Sequence, residues 1–287
     1  MPVAVVTDST HYLPRAVAAE AGLHQVSLYS NDGGTLLRES EMPDFDEFYR
    51  RLTTRSDLPT TSQPSIGDFL EVYEPLIEAG NDILSVHLGS GISGTAEAAR
   101  QAAAEIAGRG GPRRIEVINS RSACGGLGMV ALAAAAAANA GQDIEQVTAR
   151  TQAAVSDVRI WFAVDTLEYL RRGGRIGSAQ AWMGGALKIK PIMTFDDVIT
   201  PVERVRTEKR AFERMVEFMH DLKDDGREAW IVQHIQAPAQ AERLRDQGLE
   251  IFGTEPLFLS EIGPVIGTHA GPGLIGVGGI SPSILAP

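Results

Sequence analysis

The feature that most constrains the fold is the alternation of short β-branched runs with helical patterns in the first half of the chain. The runs lie at residues 3–6, 83–86 and 115–118, and each is flanked by turn residues. Strands that alternate with helices form a parallel sheet covered by helices. We therefore predict an N-terminal three-layer α/β/α domain.

Helical patterns fill the intervals between these strands. Residues 66–79 follow Ser65, which is suited to cap a helix because Asp68 comes three residues later. Residues 96–106 place four alanines and one isoleucine on one face. The alanine-rich segment that follows residue 125 predicts a buried helix, too short to span a bilayer.

The pattern changes after a strand predicted at residues 160–164. A long helix at residues 208–224 is followed by a strand at 230–232 and by three or four short strands, which favours an α+β domain with a mixed sheet. A chain of 287 residues is near the upper limit for one core. We therefore predict two domains, residues 1–157 and 158–287.

The composition disfavours several classes of partner. The net charge of -11 repels phosphate backbones and anionic membranes. Cys124 is the single cysteine, so no internal disulfide can form, and the N-terminus does not resemble a signal peptide. We expect a cytoplasmic protein that neither binds nucleic acid nor inserts stably into membranes.

Residues 89–94 match the pattern G-x-G-x-x-G between a predicted strand and a predicted helix. A dinucleotide site also needs an acidic residue at the end of the next strand, but that strand ends in Asn119, and Glu116 is predicted to be buried in its middle. The motif therefore predicts an anion site at a helix N-terminus, with hydroxyls from Ser93 and its neighbours. An equally good interpretation is that Ser93 only caps the helix.

Three further segments could bind an anion. Residues 60–65 form a second hydroxyl-rich stretch before a helix, although such residues are also typical of a capped turn. His269 lies among small residues and can donate to a carboxylate or phosphate, although a lone histidine is more often structural. The densest positive segment could clamp an anion or dock a partner, or could simply end a helix; it contains Arg171, Arg172 and Arg175.

The sequence contains no phosphate loop, zinc-protease motif, paired-cysteine motif or serine nucleophile elbow. Asp8 and Asp165 follow predicted strands, where α/β enzymes place their sites, although both can equally be turn residues. We expect no metal and no cofactor.

In their order along the chain, these motifs resemble the DegV family, the fatty-acid-binding proteins that act as the B subunit of bacterial fatty acid kinase. The resemblance runs nearly end to end, although residues 89–91 are richer in glycine than the usual serine-rich start of that motif. Its segments are residues 5–9, 61–65, 91–95, 119–128, 170–176, 189–192 and 269–273.

The resemblance implies two α/β domains that hold a long-chain fatty acid between and within them. It assigns the carboxylate to Thr61 and Ser93, with His269 near the same head group. Hydroxyls and a histidine suit this task because they bind a carboxylate without burying a full positive charge. The remaining residues assigned to this site are Ser62, Gly94 and Thr95.

In the family, a separate ATP-binding kinase subunit phosphorylates the bound acid to an acyl-phosphate. The resemblance thus implies a substrate-presenting subunit that is not catalytic alone, with the three arginines as candidates for kinase docking or phosphate contact. Two alternatives remain open: a nucleotide-using enzyme with its site at residues 89–94, and a small-molecule hydrolase that uses Asp8, Asp165 or His269.

Overall fold

The computed structural model describes residues 1–42, 44–54, 57–110, 113–183 and 189–286. Its strands are β1 (Val3–Asp8), β2 (His24–Val26), β3 (Tyr29–Asp32), β4 (Thr35–Arg38), β5 (Thr60–Ser62), β6 (Asp82–His87), β7 (Ile115–Asn119), β8 (Arg159–Ala163), β9 (Lys190–Asp196), β10 (Val198–Val205), β11 (Ala229–His234), β12 (Phe258–Glu261) and β13 (Ile275–Ile280). Its helices are α1 (Arg15–Glu20), α2 (Asp46–Thr54), α3 (Ile66–Glu78), α4 (Thr95–Gly108), α5 (Gly125–Asn139), α6 (Ile144–Asp157), α7 (Glu168–Arg172), α8 (Glu208–Asp224), α9 (Pro238–Phe252), α10 (Pro264–Ala270) and α11 (Pro282–Leu285).

The N-terminal half, residues 1–157, is built on a parallel sheet in the order β2-β1-β6-β7. Every residue of β6 is buried, because helices cover both faces of this sheet. Helices α3 and α4 pack on one face, and α5 and α6 pack on the other. The predicted α/β/α arrangement is confirmed.

Local sequence signals define α3 and α4. The Ser65 hydroxyl accepts a hydrogen bond from the Asp68 amide at 3.1 Å, and the Asp68 carboxylate accepts one from the Ser65 amide at 2.8 Å. This is the capping box that the sequence predicts. In α4, Ala99 and Ala102 are fully buried, so the helix lies close to the sheet.

A small antiparallel sheet in the order β4-β3-β5 lies beside the parallel sheet. The sequence did not predict it, because β5 consists of hydroxyl residues typical of turns. Its extended conformation depends on pairing with β3, where Thr61 lies opposite Ser30.

The C-terminal half, residues 158–286, contains a mixed sheet in the order β10-β9-β8-β13-β11-β12. Only the β11–β12 pair of this sheet is parallel. The predicted mixed sheet is confirmed, but the prediction of three or four short strands after β11 is wrong in the described residues, where β12 and β13 follow. The sequence analysis missed α9, which packs with α8 on one face of the sheet.

The two halves share one hydrophobic core, which includes Tyr49, Leu127, Ile231 and Val265. Helix α10 packs on α2, and the other face of the mixed sheet meets α5. After the mixed sheet, the chain returns to the N-terminal half, where α11 packs on α5 and α6. Helix α6 ends and β8 begins around residue 158, and the domain boundary at residue 157 stays a prediction.

Candidate functional site

A cavity of about 340 Å³ lies between the two halves. This volume is within the range of small-molecule sites. We call it the apolar cavity, because most of its lining is aliphatic or aromatic. That lining includes Leu28, Leu88, Ile92, Ile160, Phe162, Leu170, Phe195, Ile199, Ile231, Ile262, Val265, Ile266 and Leu274.

Polar residues from four segments of the chain meet in the same lining, and we call them the polar cluster. The Thr61 hydroxyl lies 2.8 Å from Nε2 of His269, so one hydrogen bond joins β5 to α10. Both hydroxyl-rich segments of the sequence contribute to this lining, one through Thr61 and Ser62 and the other through Ser93. The polar cluster consists of Thr61, Ser62, Gln63, Ser93, Gly94, Arg175 and His269.

Thr61 reaches this cluster from a strand. Its backbone pairs with Ser30 of β3, and it lies four residues before Ser65, the N-cap of α3. Thr61 itself therefore lies in a strand and not at the N-terminus of α3. The inter-strand hydrogen bonds to β3 hold the backbone of Thr61 in place, whereas a turn would have no such bonds.

Ser93 both lines the cavity and supports the start of α4. Its hydroxyl accepts a hydrogen bond from the Thr95 amide at 3.3 Å and lies 2.9 Å from the Thr95 hydroxyl. Thr95 is fully buried and outside the cavity lining, so it supports Ser93 and does not face the cavity. The N-cap position is occupied by Gly94, where a β-carbon would overlap the side-chain amide of Gln63.

The glycine-rich segment before Ser93 packs against the β9–β10 turn. A β-carbon at Gly89 would lie 2.7 Å from the ring of Phe195, and one at Gly91 would overlap the carbonyl oxygen of Asp197. The Asp197 carboxylate accepts hydrogen bonds from the Gly91 amide at 3.2 Å and the Asn119 side chain at 2.9 Å. The two glycines therefore allow the β9–β10 turn to pack on this loop.

His269 is the titratable member of the polar cluster with a shifted pKa. Burial, and then the positive charge of Arg175, lower the pKa of His269 to about 4. Its Nδ1 atom is buried without a hydrogen-bond partner among the described residues, and it fits against Gly173, where a β-carbon would overlap it. The imidazole is therefore neutral at pH 7, and a bound anion would favour its protonation.

The structure separates the three arginines of the predicted positive segment. Arg175 lines the cavity, where its guanidinium donates to the Gly173 carbonyl at 2.7 Å and to the Ile92 carbonyl at 3.4 Å. Arg171 and Arg172 are exposed on α7 and lie outside the cavity lining. Arg171 forms an ion pair with Glu168 at 2.6 Å.

Asp8, one of the residues proposed for a hydrolase, belongs to a buried network. The Ser85 hydroxyl lies 2.6 Å from Nε2 of His87, and Nδ1 of His87 lies 3.1 Å from the Asp8 carboxylate. These are the residue types of a hydrolytic triad, but all three are fully buried and none lines the cavity. The network joins β1 to β6, and substrate cannot reach it.

Asp165, another hydrolase candidate, and Glu116, considered for the dinucleotide pattern, also lie outside the apolar cavity. Asp165 is half exposed, pairs with Lys190 and lies outside the apolar cavity. Glu116 is not buried as predicted, since its carboxylate pairs with Arg114 at 3.0 Å and is 40% exposed. Within the described ranges, no group of three His, Cys, Asp or Glu side chains is arranged to hold a metal ion.

The sequence analysis missed several residues of the site. Gln63 and Gln233 both line the cavity, and Asp197 holds the loop before Ser93. Gln63 lies inside the motif at residues 61–65 but was assigned no role, whereas only contacts between distant segments reveal the roles of Gln233 and Asp197. Across the part of the chain that the structure describes, no helix is long and apolar enough to cross a membrane.

The chain matches known proteins over nearly its full length. The DegV family, described as an uncharacterised protein family, matches residues 2–281. A DegV domain-containing protein of Streptomyces coelicolor is 38% identical over 281 residues, which cover 96% of this chain and 97% of that protein.

Two solved structures have the same fold. One is a DegV family protein from Thermus thermophilus described by its fatty acid binding, and the other is DegV from Bacillus subtilis, described as a fatty acid binding protein. Each is 33% identical, covers 98% of this chain and 100% of its own, and superposes with a TM-score of 0.87. The protein described here belongs to the DegV family.

Proposed function

We propose that this protein binds a long-chain fatty acid in the apolar cavity, with the carboxylate at the polar cluster. A separate ATP-dependent kinase subunit would then convert the bound acid to an acyl-phosphate. The observation that carries the proposal is that hydroxyls and a neutral histidine line one part of a mostly apolar cavity. The polar part suits a carboxylate, and the apolar part suits a hydrocarbon tail. The fatty acid binding of the two solved relatives supports it.

The head group would be bound mainly by neutral donors. The hydroxyls of Thr61 and Ser93 would donate to the carboxylate, with Ser62 and Gly94 beside them. Thr95 would act through Ser93, because its own hydroxyl lies 2.9 Å from that of Ser93. His269 and the nearby Arg175 would add positive character, which suits an ionised carboxylate.

The tail would supply most of the affinity. Burial of each methylene contributes about 0.8 kcal/mol, so a chain of a dozen buried methylenes gains more than a few exchanged hydrogen bonds. Removing head-group donors should therefore weaken binding and leave a measurable residual affinity.

The kinase subunit would approach the exposed face of α7. Arg171 and Arg172 lie on this helix, next to the bend that brings Arg175 into the cavity lining. Guanidinium groups suit both an acidic docking surface and a phosphate. This side of the proposal rests on the position of the arginines and on the family resemblance.

Native mass spectrometry of the freshly purified protein, followed by extraction and identification of the bound molecule, tests the ligand. We expect a one-to-one adduct with the mass of a long-chain fatty acid. A protein that carries no such adduct and takes up no added fatty acid would contradict the proposal.

A double variant tests the head-group assignment. Thr61→Ala with Ser93→Ala should lower fatty acid affinity by about tenfold or more, because two charge-assisted hydrogen bonds are lost. The control replaces two exposed hydroxyls in the same way, Thr53→Ala with Ser156→Ala. Unchanged affinity in the first variant would refute the assigned site.

Charge reversal tests the docking assignment. Arg171→Glu with Arg172→Glu should slow phosphorylation of bound fatty acid by a cognate kinase and leave fatty acid affinity unchanged. The control reverses two exposed charges on α8, Lys209→Glu with Arg210→Glu. Equal phosphorylation rates in the two double variants would remove α7 from the docking surface.

A further inference from the structure

One end of the apolar cavity lies where the mixed sheet meets the first turn of α5. Cross-strand pairing aligns two rows of residues on the sheet face that meets α5. We call them the inner row, Phe162, Gly276 and Gln233, and the end row, Ile160, Gly278 and Ile231.

The end row is covered by α5. A β-carbon at Gly125 would overlap the side chain of Ile231, so the helix and this row are in direct contact. One turn further along, the fully buried Met129 places its methyl carbon 3.3 Å from where a β-carbon of Gly278 would lie. Neither Met129 nor Gly278 is part of the cavity lining, so the cavity stops at this contact.

The inner row is open at its centre. Gly276 lines the cavity, and a β-carbon there would lie 3.3 Å from that of Phe162. Its backbone is not left-handed, so a side chain at this position causes no backbone strain, although Phe162 must shift by a few tenths of an ångström to accept it. Any such side chain would stand beside Phe162 and Gln233 and fill cavity space.

The polar side chain of the inner row, Gln233, already forms hydrogen bonds within the protein through its oxygen and its nitrogen. The Gln233 carbonyl oxygen accepts a hydrogen bond from the Gly125 amide at 2.5 Å, and its amide nitrogen donates to the Ser260 hydroxyl at 2.9 Å. These bonds hold the Gln233 side chain in place and link α5 to β12. A ligand that ends beside Gln233 must therefore end in an apolar group.

We propose that Gly276 and Met129 determine the longest acyl chain that the cavity accepts. The missing side chain at Gly276 leaves room for the distal methylenes, and the terminal methyl group stops at the end row, behind which Met129 packs against Gly278 and closes the cavity. The inference rests on the proposed binding of a fatty acid. It predicts opposite changes in chain-length preference when Gly276 is enlarged and when Met129 is shortened.

The test uses the full chain, stripped of endogenous lipid and incubated with an equimolar mixture of saturated acids of increasing length, with occupancies read by native mass spectrometry. Each methylene is worth about fourfold in affinity. Gly276→Val should therefore lose at least tenfold for the longest acid that the unmodified protein binds, and acids a few methylenes shorter should stay within about threefold. Met129→Ala should shift occupancy to acids longer than those the unmodified protein prefers.

Matched replacements separate this effect from general destabilisation. Gly108→Val adds the same side chain at an open position of α4, and Met219→Ala truncates a fully buried methionine on the opposite face of the mixed sheet. Neither should change the preferred length. If Gly276→Val fails to fold, Gly276→Ala should give a smaller shift in the same direction.

The outcomes separate a failure of the proposed fatty acid binding from a failure of the proposed chain-length limit. If the unmodified protein binds no acid of any length, the proposed function fails. If it binds acids but Gly276→Val weakens all lengths equally, or Met129→Ala leaves the length profile unchanged, then these residues do not set chain length and only this inference fails.

Discussion

At the scale of single residues, the polar cluster is organised around the neutral imidazole of His269. Burial and Arg175 lower the pKa of His269 to about 4 from the ordinary 6.5. The unfolded chain therefore binds a proton between these pH values that the folded chain does not. The contribution of His269 to folding stability is complete above pH 6.5 and is lost as the pH drops towards 4.

His269→Gln should remove this part of the pH dependence, because glutamine does not titrate. The free energy of unfolding of the unmodified protein should fall more steeply between pH 6.5 and 4, by up to about 1.4 kcal/mol per pH unit. Urea unfolding at several pH values measures the difference. The exposed His220→Gln is the control, and equal slopes for His269→Gln and the unmodified protein would contradict the role of burial.

The residues of the site were predictable to different degrees. Thr61, Ser93 and His269 stand in sequence motifs, and the structure brings all three to one cavity. Whether they bind a carboxylate stays a prediction. The packing of Gln63 on Gly94 and the hydrogen bond of Asp197 to Gly91 were not predictable, because each joins residues of distant segments.

At the scale of elements, α10 is the helix that carries His269, and its first turn is held by the N-terminal half. The buried Glu39 carboxylate accepts hydrogen bonds from the Val265 amide at 2.7 Å and from the Tyr12 hydroxyl at 2.8 Å. The Tyr12 oxygen in turn accepts one from the Ile266 amide at 3.2 Å. Burial raises the pKa of Glu39 to about 7, although these hydrogen bonds oppose the shift.

Glu39→Gln should remove a second pH effect, of opposite sign. The folded chain holds a proton on Glu39 between pH 4.5 and 7, so this residue makes the protein less stable as the pH rises through that window. The free energy of unfolding of the variant should therefore rise more steeply with pH across this window than that of the unmodified protein. The exposed Glu20→Gln is the control for chemical denaturation at each pH, and equal pH slopes for Glu39→Gln and the unmodified protein would exclude a contribution of this residue.

The loop before Ser93 gives a packing prediction. Gly91→Ala should destabilise the protein by about 1–3 kcal/mol, because the added methyl group overlaps the Asp197 carbonyl and forces the β9–β10 turn to move. Gly108→Ala adds the same group in open space on α4 and should be neutral or slightly stabilising. Thermal unfolding compares the two, and equal stabilities would show that the turn adapts freely.

Elements with a strong local signal were predicted well, and elements that depend on partners were not. The capping box of α3 and the buried runs of β1 and β6 lie in the sequence itself. Strand β5 is extended only because β3 pairs with it. Helix α9 does have a periodic buried face, at Ala241, Leu244, Gly248 and Ile251, but no side chain caps its N-terminus to mark it in the sequence.

At the scale of the whole molecule, the apolar cavity is built by both halves, so a bound ligand connects them. The polar cluster takes Thr61 and Ser93 from the N-terminal half and His269 from the C-terminal half. A ligand that binds only the folded protein stabilises it by mass action.

A saturating long-chain fatty acid should therefore raise the melting temperature. At a free concentration one hundred times the Kd, the stabilisation is about 2.7 kcal/mol, which corresponds to roughly 5–10 °C for a chain of this size class. Differential scanning calorimetry with and without fatty acid measures it. The Thr61→Ala, Ser93→Ala variant should show a smaller rise at the same concentration, and an equal rise would place the ligand elsewhere.

The return of α11 to the N-terminal half has a practical consequence for measurements of motion. Strand β1 belongs to the parallel sheet, and Arg150 of α6 donates hydrogen bonds to the carbonyls of Ile284 at 3.0 Å and Ala286 at 2.6 Å. Fluorophores attached near residues 1 and 286 would thus sit on the same body, and energy transfer between them would not register any movement of one half against the other. A reporter pair for such movement needs one dye on the outer helices α8 or α9.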